Sequence, residues 1–303
     1  MEKLKRKRRY KNSLNDWICI VVLMAPALIH LLVFWLGVQV ETIEMAFTDV
    51  HTKEFTLQNF VWAWRNLFAG VNATDLSTAL LNTFKFFVMG TLLIPISIFF
   101  SYLIYRKTFA HGFMRVGLYL PGAISGIMMA ILYEKLMESG GPIMQIVQEL
   151  SGSTDPIMFK LEQGVLYIMI FDIFLGVGGN MMIWLGSMSR VPYDLIEYGK
   201  LEGIKPIREF ATVVLPLIWP TFVTMVSLQI IGIFGASGSV QVLTDGQYGT
   251  YTLAFWMYKI VQASMTDQYN NVAALGLMLT LATIPLVVIF RKIMNRFGGE
   301  VQY

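Results

Sequence analysis

Long apolar stretches constrain the fold of this chain more than any other feature of its sequence. A helix that crosses the hydrocarbon core of a membrane needs about 20 mostly apolar residues. Segments of that kind occur six times, at residues 17–40, 86–105, 116–133, 164–186, within 210–244 and at 272–290. Strands of membrane barrels are shorter, about ten residues of alternating polarity. The sequence therefore predicts an all-α polytopic membrane protein with six transmembrane helices.

The first apolar stretch, residues 17–40, follows a basic segment, as the core of a signal peptide does. Its apolar run is longer than such a core, and no small-residue cleavage site follows it. We therefore expect residues 17–40 to form a retained first transmembrane helix, preceded by a basic N-terminus at residues 1–16.

The positive charges fall in alternate loops, which indicates the orientation of the chain. If the N-terminus lies inside, most of the 23 Lys and Arg fall in residues 1–16 and after the second, fourth and sixth spans. The positive-inside rule then places both termini in the cytoplasm of a bacterial-type plasma membrane. A patch for nucleic acid or lipid headgroups is the alternative, but a basic run beside a span is more typical of a topology signal. We expect a lipid bilayer around the chain and no nucleic-acid partner.

Several functional classes lack the residues that they need. The sequence has no Gly-x-x-x-x-Gly-Lys-Ser/Thr motif, so the chain is not expected to hydrolyse ATP or to hold a cofactor of its own. The single Cys19 and the scattered His30, His51 and His111 make no metal-ligand pattern. A membrane enzyme would need catalytic groups clustered at one interface, and none stands out. We therefore expect a transporter component with no catalytic or metal site.

The segment at residues 187–209 is the longest internal cytoplasmic loop that this topology gives, and it is rich in charge. Pro192 suits the first turn of a helix because its missing N–H has no partner there. Gly203 is able to take the left-handed conformation that ends a helix, and Pro206 suits the start of a second one. The segment reads as two short helices, for which an amphipathic surface helix with proline stops is the plainer interpretation. Pro216 and Pro220 are expected to interrupt the entry to the fifth span.

The spacing within this loop resembles the cytoplasmic loop of the membrane subunits of binding-protein-dependent ABC importers. The matching residues are Glu197, Gly203, Phe210, Val213, Leu215 and Pro216. Tyr198 and Gly199 stand where two alanines are usual, and Glu202 stands where Asp is usual. Gly-Gly-Asn at 178–180 and Thr-Asp-Gly-Gln-Tyr-Gly-Thr at 244–250 are similar to segments of the carbohydrate branch, the maltose and multiple-sugar type.

The resemblance implies a type I ABC importer permease fold, with a permease core of five transmembrane helices at 80–297. It implies four kinds of partner: two copies of a cytoplasmic ATPase that bind ATP and Mg, a homologous second permease subunit, an external or periplasmic solute-binding protein, and a sugar. Energy would arrive through a coupling helix at 195–206. The residues expected to contact the ATPase are Glu197, Lys200, Glu202, Gly203, Pro206 and Phe210.

The expected substrate path lies on the spans that flank the loop. Asp172 is the one ionisable residue in the middle of a span, where such residues usually face a cavity. Gly176 and Asn180 follow at four-residue spacing, with Trp184 extending the face, and a carboxylate, an amide and an indole suit a sugar. By resemblance, Asp172, Gly176 and Gln229 match the sugar site of the family. Packing between helices is the alternative for Asn180 and the glycines.

Two other functions remain open at this point. The chain is compatible with an ABC permease for a non-sugar solute such as glycerol phosphate or a peptide, although a negative residue in the path disfavours an anion. A stand-alone secondary carrier is the less favoured alternative, because such carriers often show internal repeats, and the two halves of this sequence show none. The leading hypothesis is a sugar importer permease that pairs with a homologous subunit.

Overall fold

The computed structural model describes residues 14–68, 75–108, 110–138, 140–151, 163–236, 238–263 and 266–297. These residues are mainly helical, and they contain one isolated antiparallel bridge between Thr48 and Phe55. The basic run expected at residues 1–16 lies mostly outside the described part of the chain. So does most of the loop that follows residue 151.

Fourteen α-helices occur in the described residues. They are α1 Leu14–His30, α2 Val38–Ala46, α3 Gln58–Leu67, α4 Asp75–Tyr105, α5 His111–Ala123, α6 Gly126–Met137, α7 Pro142–Ser151, α8 Gly164–Met188, α9 Tyr193–Leu201, α10 Pro206–Glu209, α11 Leu215–Ile231, α12 Gly238–Leu243, α13 Leu253–Gln262 and α14 Tyr269–Phe297. Two π-helical segments, Leu31–Gly37 and Phe210–Val214, join α1 to α2 and α10 to α11. A short 3₁₀ turn, Thr266–Gln268, leads into α14.

Five continuous helices in the described residues are long and apolar enough to cross a membrane. They are Trp17–Ala46, Leu76–Tyr105, Gly164–Met188, Pro206–Ile231 and Thr266–Phe297. The bent pair formed by α5 and α6 brings the number to six when it is counted as one span. The all-α, polytopic architecture predicted from the apolar stretches is therefore confirmed.

The third predicted span, residues 116–133, is not one straight helix. The helix His111–Ala123 and the helical stretch that begins at Gly126 meet at an angle of 104°. Ile124 is extended, with φ −86° and ψ 148°, and the next residue, Ser125, has ψ 131°. Two successive residues outside the helical region end the hydrogen-bond ladder, so the chain turns sharply there. Because the stretch is apolar on both sides of the break, its composition did not indicate the break.

The first span differs from the others in its packing. None of its most apolar window is buried, whereas 39% of the corresponding window of Leu76–Tyr105 is buried. Its helix also continues past residue 40, where the sequence analysis ended it, to Ala46. That last residue packs against Ala273 and Ala274 of α14. Within the described residues, the first span thus contacts the rest of the chain mainly at its C-terminal end.

Helices α4 and α8 form the centre of the bundle. Because lipid tails are as apolar as leucine, close packing and hydrogen bonds hold membrane helices together more than the hydrophobic effect does. Both are present here: the indole Nε1 of Trp184 on α8 donates to the Oγ of Ser97 on α4 at 3.0 Å. A β-carbon at Gly178 would collide with the backbone carbonyl of Leu118 on α5. Gly178 of the 178–180 motif therefore allows α5 to cross α8 closely.

The segment 244–252 is fastened to the start of α4. The Nδ2 of Asn82 donates to the carbonyl oxygens of Gly249 at 2.7 Å and Tyr251 at 2.9 Å. The Oγ1 of Thr83 accepts from the backbone N–H of Leu253 at 2.9 Å. These bonds place α12 and α13 beside α4 and α8, and so bring α12 next to Asp172.

Candidate coupling surface and substrate path

The 187–209 loop folds as two short helices, close to the expectation but with different bounds. The predicted coupling helix at 195–206 is a helix that ends at Leu201, followed by a turn. Gly203 in that turn has φ +69°, the left-handed conformation expected for it. Pro206 is the first residue of α10, as predicted. Ile196 and Gly199 are buried, so α9 is held against the bundle by one face.

Most of the predicted coupling residues lie on the opposite, exposed side of this loop. Glu197, Glu202, Gly203 and Pro206 are all exposed. Lys200 lies on α9, and its side chain is outside the described part of the structure. Phe210 is placed differently: it is half-buried, and its ring centroid lies 5.0 Å from that of Tyr102 on α4. Its position favours contact with the bundle over contact with a partner.

The loop also exposes an apolar rim that the sequence analysis missed. Tyr198 is 64% exposed, Leu201 is 82% exposed and Ile207 is 84% exposed. In the sequence, these apolar residues have the same character as core residues, and only the fold shows that they are exposed. Several exposed apolar residues in one short loop, close in sequence to Glu197 and Glu202, are typical of a protein contact site.

A second missed feature is a buried carboxylate at the end of the loop. Glu209 has no exposed surface. Its Oε2 lies 3.3 Å from Nη2 of Arg106, and its Oε1 lies 3.0 Å from the hydroxyl of Tyr102. We call Tyr102, Arg106 and Glu209 the polar triad. Buried carboxylates are rare unless paired, but nothing in the sequence separates Glu209 from its exposed acidic neighbours.

The prolines do not interrupt the fifth span, contrary to the expectation. The helix runs from Pro206 to Ile231, with the π-helical segment just before Pro216. Pro216 lies in the first turn of α11, and Pro220 lies inside it. Membrane helices tolerate proline because neighbouring groups and local π adjustments satisfy the freed backbone groups.

Asp172 is one hydrogen bond away from an open groove beside α12, because Ser239 lines that groove. Its Oδ1 accepts a hydrogen bond from the Oγ of Ser239, and the side chain is intermediate in exposure. The groove has a volume of about 310 Å³. Its lining includes Ser125, Gly126, Phe171, Leu175, Gly238 and Ser239. A hydroxyl at the wall of a mainly apolar groove, with a carboxylate hydrogen-bonded to it, is suited to bind a polar ligand.

The other predicted path residues do not share one face with Asp172. A four-residue step on a helix of 3.6 residues per turn drifts by about 40°, so positions 172 to 184 spread over about a third of the circumference. Gly176 packs against Leu93 of α4, and Trp184 is fully buried, so the role considered for its indole in binding a sugar ring is wrong. The amide of Gln229 lies against Gly90 of α4, and Asn180 is partly exposed.

Taken together, the spans, the exposed loop and the groove beside α12 define a membrane component of a transport system. A family model described as "Binding-protein-dependent transport system inner membrane component" matches residues 93–301, which is more than half of the chain. The chain belongs to this family. The resemblance inferred from the 187–209 loop is thereby confirmed, and the protein is a multi-pass inner-membrane transport component.

Known relatives cover nearly the whole chain. It is 23% identical to the probable starch degradation products transport system permease protein AmyD of Thermoanaerobacterium thermosulfurigenes, over 94% of this chain and 96% of that protein. It is 22% identical to the arabinooligosaccharides transport system permease protein AraP of Bacillus subtilis, over 91% and 88%.

A solved structure shares the fold. It is the bacterial alginate ABC transporter in complex with an alginate pentasaccharide-bound periplasmic protein. The TM-score is 0.77 at 18% identity, and the match covers 96% of this chain and 98% of that one. The permease architecture expected from the sequence is therefore the architecture of this chain.

Proposed function

We propose that this chain forms the translocation path of an ATP-driven importer for a sugar or oligosaccharide that an external binding protein delivers. The relatives named for starch degradation products and arabinooligosaccharides support the sugar class. The alginate transporter, solved with a periplasmic protein that carries the ligand, supports delivery by a binding protein. ATP and Mg would be bound by a separate ATPase.

The exposed apolar rim on the 187–209 loop is the observation that carries this proposal. A chain without a nucleotide-binding motif needs energy from a partner, and Leu201 and Ile207 offer that partner a surface. Covering apolar surface contributes about 25 cal/mol per Å², while Glu197 and Glu202 at the edge would select the partner by charge. The rim is therefore the proposed ATPase contact, and it faces the cytoplasm, together with both termini.

The exposed first span supports a second permease subunit. Other spans bury part of their surface within this chain, but the most apolar window of Trp17–Ala46 buries none. In membranes, helices associate through close packing with other helices. We propose that a homologous permease subunit, different in sequence, packs against this span, which gives each ATPase copy one loop to contact.

The groove at Asp172 is the part of the path that this chain would contribute. The carboxylate accepts hydrogen bonds from sugar hydroxyls, and Ser239, which donates its proton to Asp172, is able to accept one. Bonds to charged groups are stronger than bonds between neutral groups, so Asp172 would orient the sugar. A carboxylate at this place would repel a phosphate, which favours a sugar over glycerol phosphate.

The test is purification of the tagged chain from its native membrane in mild detergent, followed by mass spectrometry. We expect an ATPase and a second polytopic subunit to accompany it. Uptake into proteoliposomes is then measured with maltotriose, arabinotriose and glycerol 3-phosphate as probes, each with the binding protein from the same source. Uptake of glycerol 3-phosphate alone would overturn the sugar class, and a chain that transports without an ATPase would overturn the importer proposal.

A further inference from the structure

The polar triad joins two helix ends that face each other. Arg106 follows the last residue of α4, Tyr105, and Glu209 lies in the first turn that follows Pro206. A cation is favoured at a helix C-terminus and an anion at an N-terminus. The hydroxyl of Tyr102 lies 2.8 Å from the carbonyl oxygen of Pro206 as well as 3.0 Å from Glu209, so its single proton is shared between the two acceptors.

The contacts around the triad make α4 and the loop end a single packed unit. The ring of Phe210 packs on that of Tyr102 at 5.0 Å. Further along α4, Ser97 accepts from Trp184 of α8 at 3.0 Å. The two residues that form this bond, Ser97 on α4 and Trp184 on α8, are both fully buried. A displacement of the loop therefore has a continuous route of contacts to α8, the helix that carries Asp172.

Stability alone is a weak explanation for this partly buried ion pair. Apolar side chains of similar volume often replace such a pair without loss, because removing two charges from water is costly. The pair is also imperfect: in the described part of the chain, the buried Nε of Arg106 has no hydrogen-bond partner. The pair therefore calls for an explanation other than stability. One such explanation is that the pair fixes the position of the 187–209 loop relative to α4, if these two elements must move together.

We infer that the polar triad is a latch that makes the 187–209 loop and α4 move as one body. When an ATPase displaces the loop, the Glu209 bonds to Arg106 and Tyr102 carry the displacement into α4. The Ser97–Trp184 bond then carries it to α8 and the groove. This inference rests on the proposed function, since it requires an ATPase at the loop. Tyr102, Arg106 and Glu209 are positioning residues and touch no substrate.

The experiment measures the distance across the latch in the intact complex. Nitroxide labels are attached at Lys107→Cys, at the end of α4, and at Lys205→Cys, just before α10; both lysines are exposed. Cys19→Ser removes the natural cysteine of this chain. A complex without the two introduced cysteines is treated in the same way, to measure the signal from nitroxides attached to partner subunits. The distance distribution is recorded by pulsed electron resonance with and without ATP and vanadate. Glu209→Gln and Tyr102→Phe are compared with the exposed control Glu149→Gln.

The latch predicts the same narrow distribution in both nucleotide states for the wild type and for Glu149→Gln. In Glu209→Gln the distribution should shift or broaden when ATP and vanadate are added. A wild-type distance that changes with nucleotide, or a Glu209→Gln distance that does not, would overturn the inference. Where Glu209→Gln does not assemble, Tyr102→Phe decides in its place. If neither assembles while the control does, the triad is a folding element and the inference is wrong.

Failure of the proposed function gives a different result. If the wild-type chain purifies without an ATPase, the importer proposal fails and the latch fails with it. If the ATPase is present and active but Glu209→Gln keeps the wild-type distances, only the latch is rejected. The two results come from the same preparation, so they are directly comparable.

Discussion

Two carboxylates of this apolar chain have opposite surroundings. Glu209 is fully buried and contacts Arg106 and Tyr102, whereas Asp172 is partly exposed and accepts a hydrogen bond from Ser239 at the wall of an open groove. A satisfied, buried group fixes the geometry between helices. A partly exposed group with spare acceptor capacity is free to bind a ligand. The same chemical group thus serves two different purposes, which mutation should separate.

The largest effect on folding is expected at the buried carboxylate. Arg106→Met removes the cation beside Glu209 and leaves a buried charge without its partner, which costs about 3 kcal/mol of unfolding free energy. The measurement is denaturation of the purified chain in detergent. Arg115→Met, at an exposed position of α5, is the matched control and should behave as wild type. Equal stability of the two variants would show that the Arg106–Glu209 pair does not fix the loop.

The second largest effect is expected on binding of the ATPase, with the stability of the folded chain unchanged. Leu201→Asp places a charge in the exposed apolar rim, and we expect affinity for the ATPase to fall about 30-fold, the scale of an interface residue that contributes about 2 kcal/mol. The measurement is recovery of the ATPase with the tagged chain over a dilution series. Leu150→Asp, which changes a residue of α7 that is 84% exposed, is the control. Undiminished recovery with Leu201→Asp would remove the rim from the ATPase contact.

At the groove, the expected effect is smaller and confined to transport. Asp172→Asn keeps the shape of the side chain but weakens its bonds to sugar hydroxyls by about 1.5 kcal/mol, so uptake of the accepted probe should fall about tenfold at low concentration. Unfolding and ATPase recovery should not change. Asp267→Asn, in the exposed 3₁₀ turn, is the comparison. If Asp172→Asn destabilises the chain and leaves uptake intact, the two carboxylates have the same structural role.

The smallest effect of a substitution is expected at the exposed ion pair between Lys259 and Asp245. Lys259 lies 2.7 Å from the carboxylate of Asp245, and that hydrogen bond raises the pKa of Lys259. A raised pKa means that the pair stabilises the folded chain below the ordinary lysine pKa, and that this contribution is lost as the pH rises above it. Because water screens the pair, Lys259→Gln should leave the thermal midpoint within about 1 °C at pH 7. A drop of several degrees would show that this turn is held more tightly than its exposure indicates.

The sequence predicted where helices form better than it predicted which side chains are buried. Long apolar runs, the left-handed Gly203 and the start of α10 at Pro206 all follow from local chemistry, because each depends on a few neighbouring residues. The break between α5 and α6 was not predicted, because two extended residues in an apolar run leave no mark on composition. The contact roles of Glu197 and Glu202 came from the family resemblance, and both residues are exposed.

Burial was the property that sequence could not supply. Trp184 shared a four-residue repeat with Asp172, but helical drift and the hydroxyl of Ser97 place it in the core. Glu209 resembled its exposed neighbours, and only the fold brings Arg106, which is 103 positions earlier in the chain, beside it. Interactions between distant residues are set by packing, and they decide which polar groups fix the structure and which contact a partner.

The most direct test of the central claim is ATP-dependent uptake in proteoliposomes that contain this chain with the subunits that purify with it. The binding protein and the accepted probe sugar are supplied outside, and ATP or a non-hydrolysable analogue is supplied to the loop side. We expect accumulation with ATP, none with the analogue, and none with ATP when this chain carries Leu201→Asp. Accumulation that persists without ATP, or that survives removal of the ATPase subunit, would contradict the account and favour a stand-alone carrier.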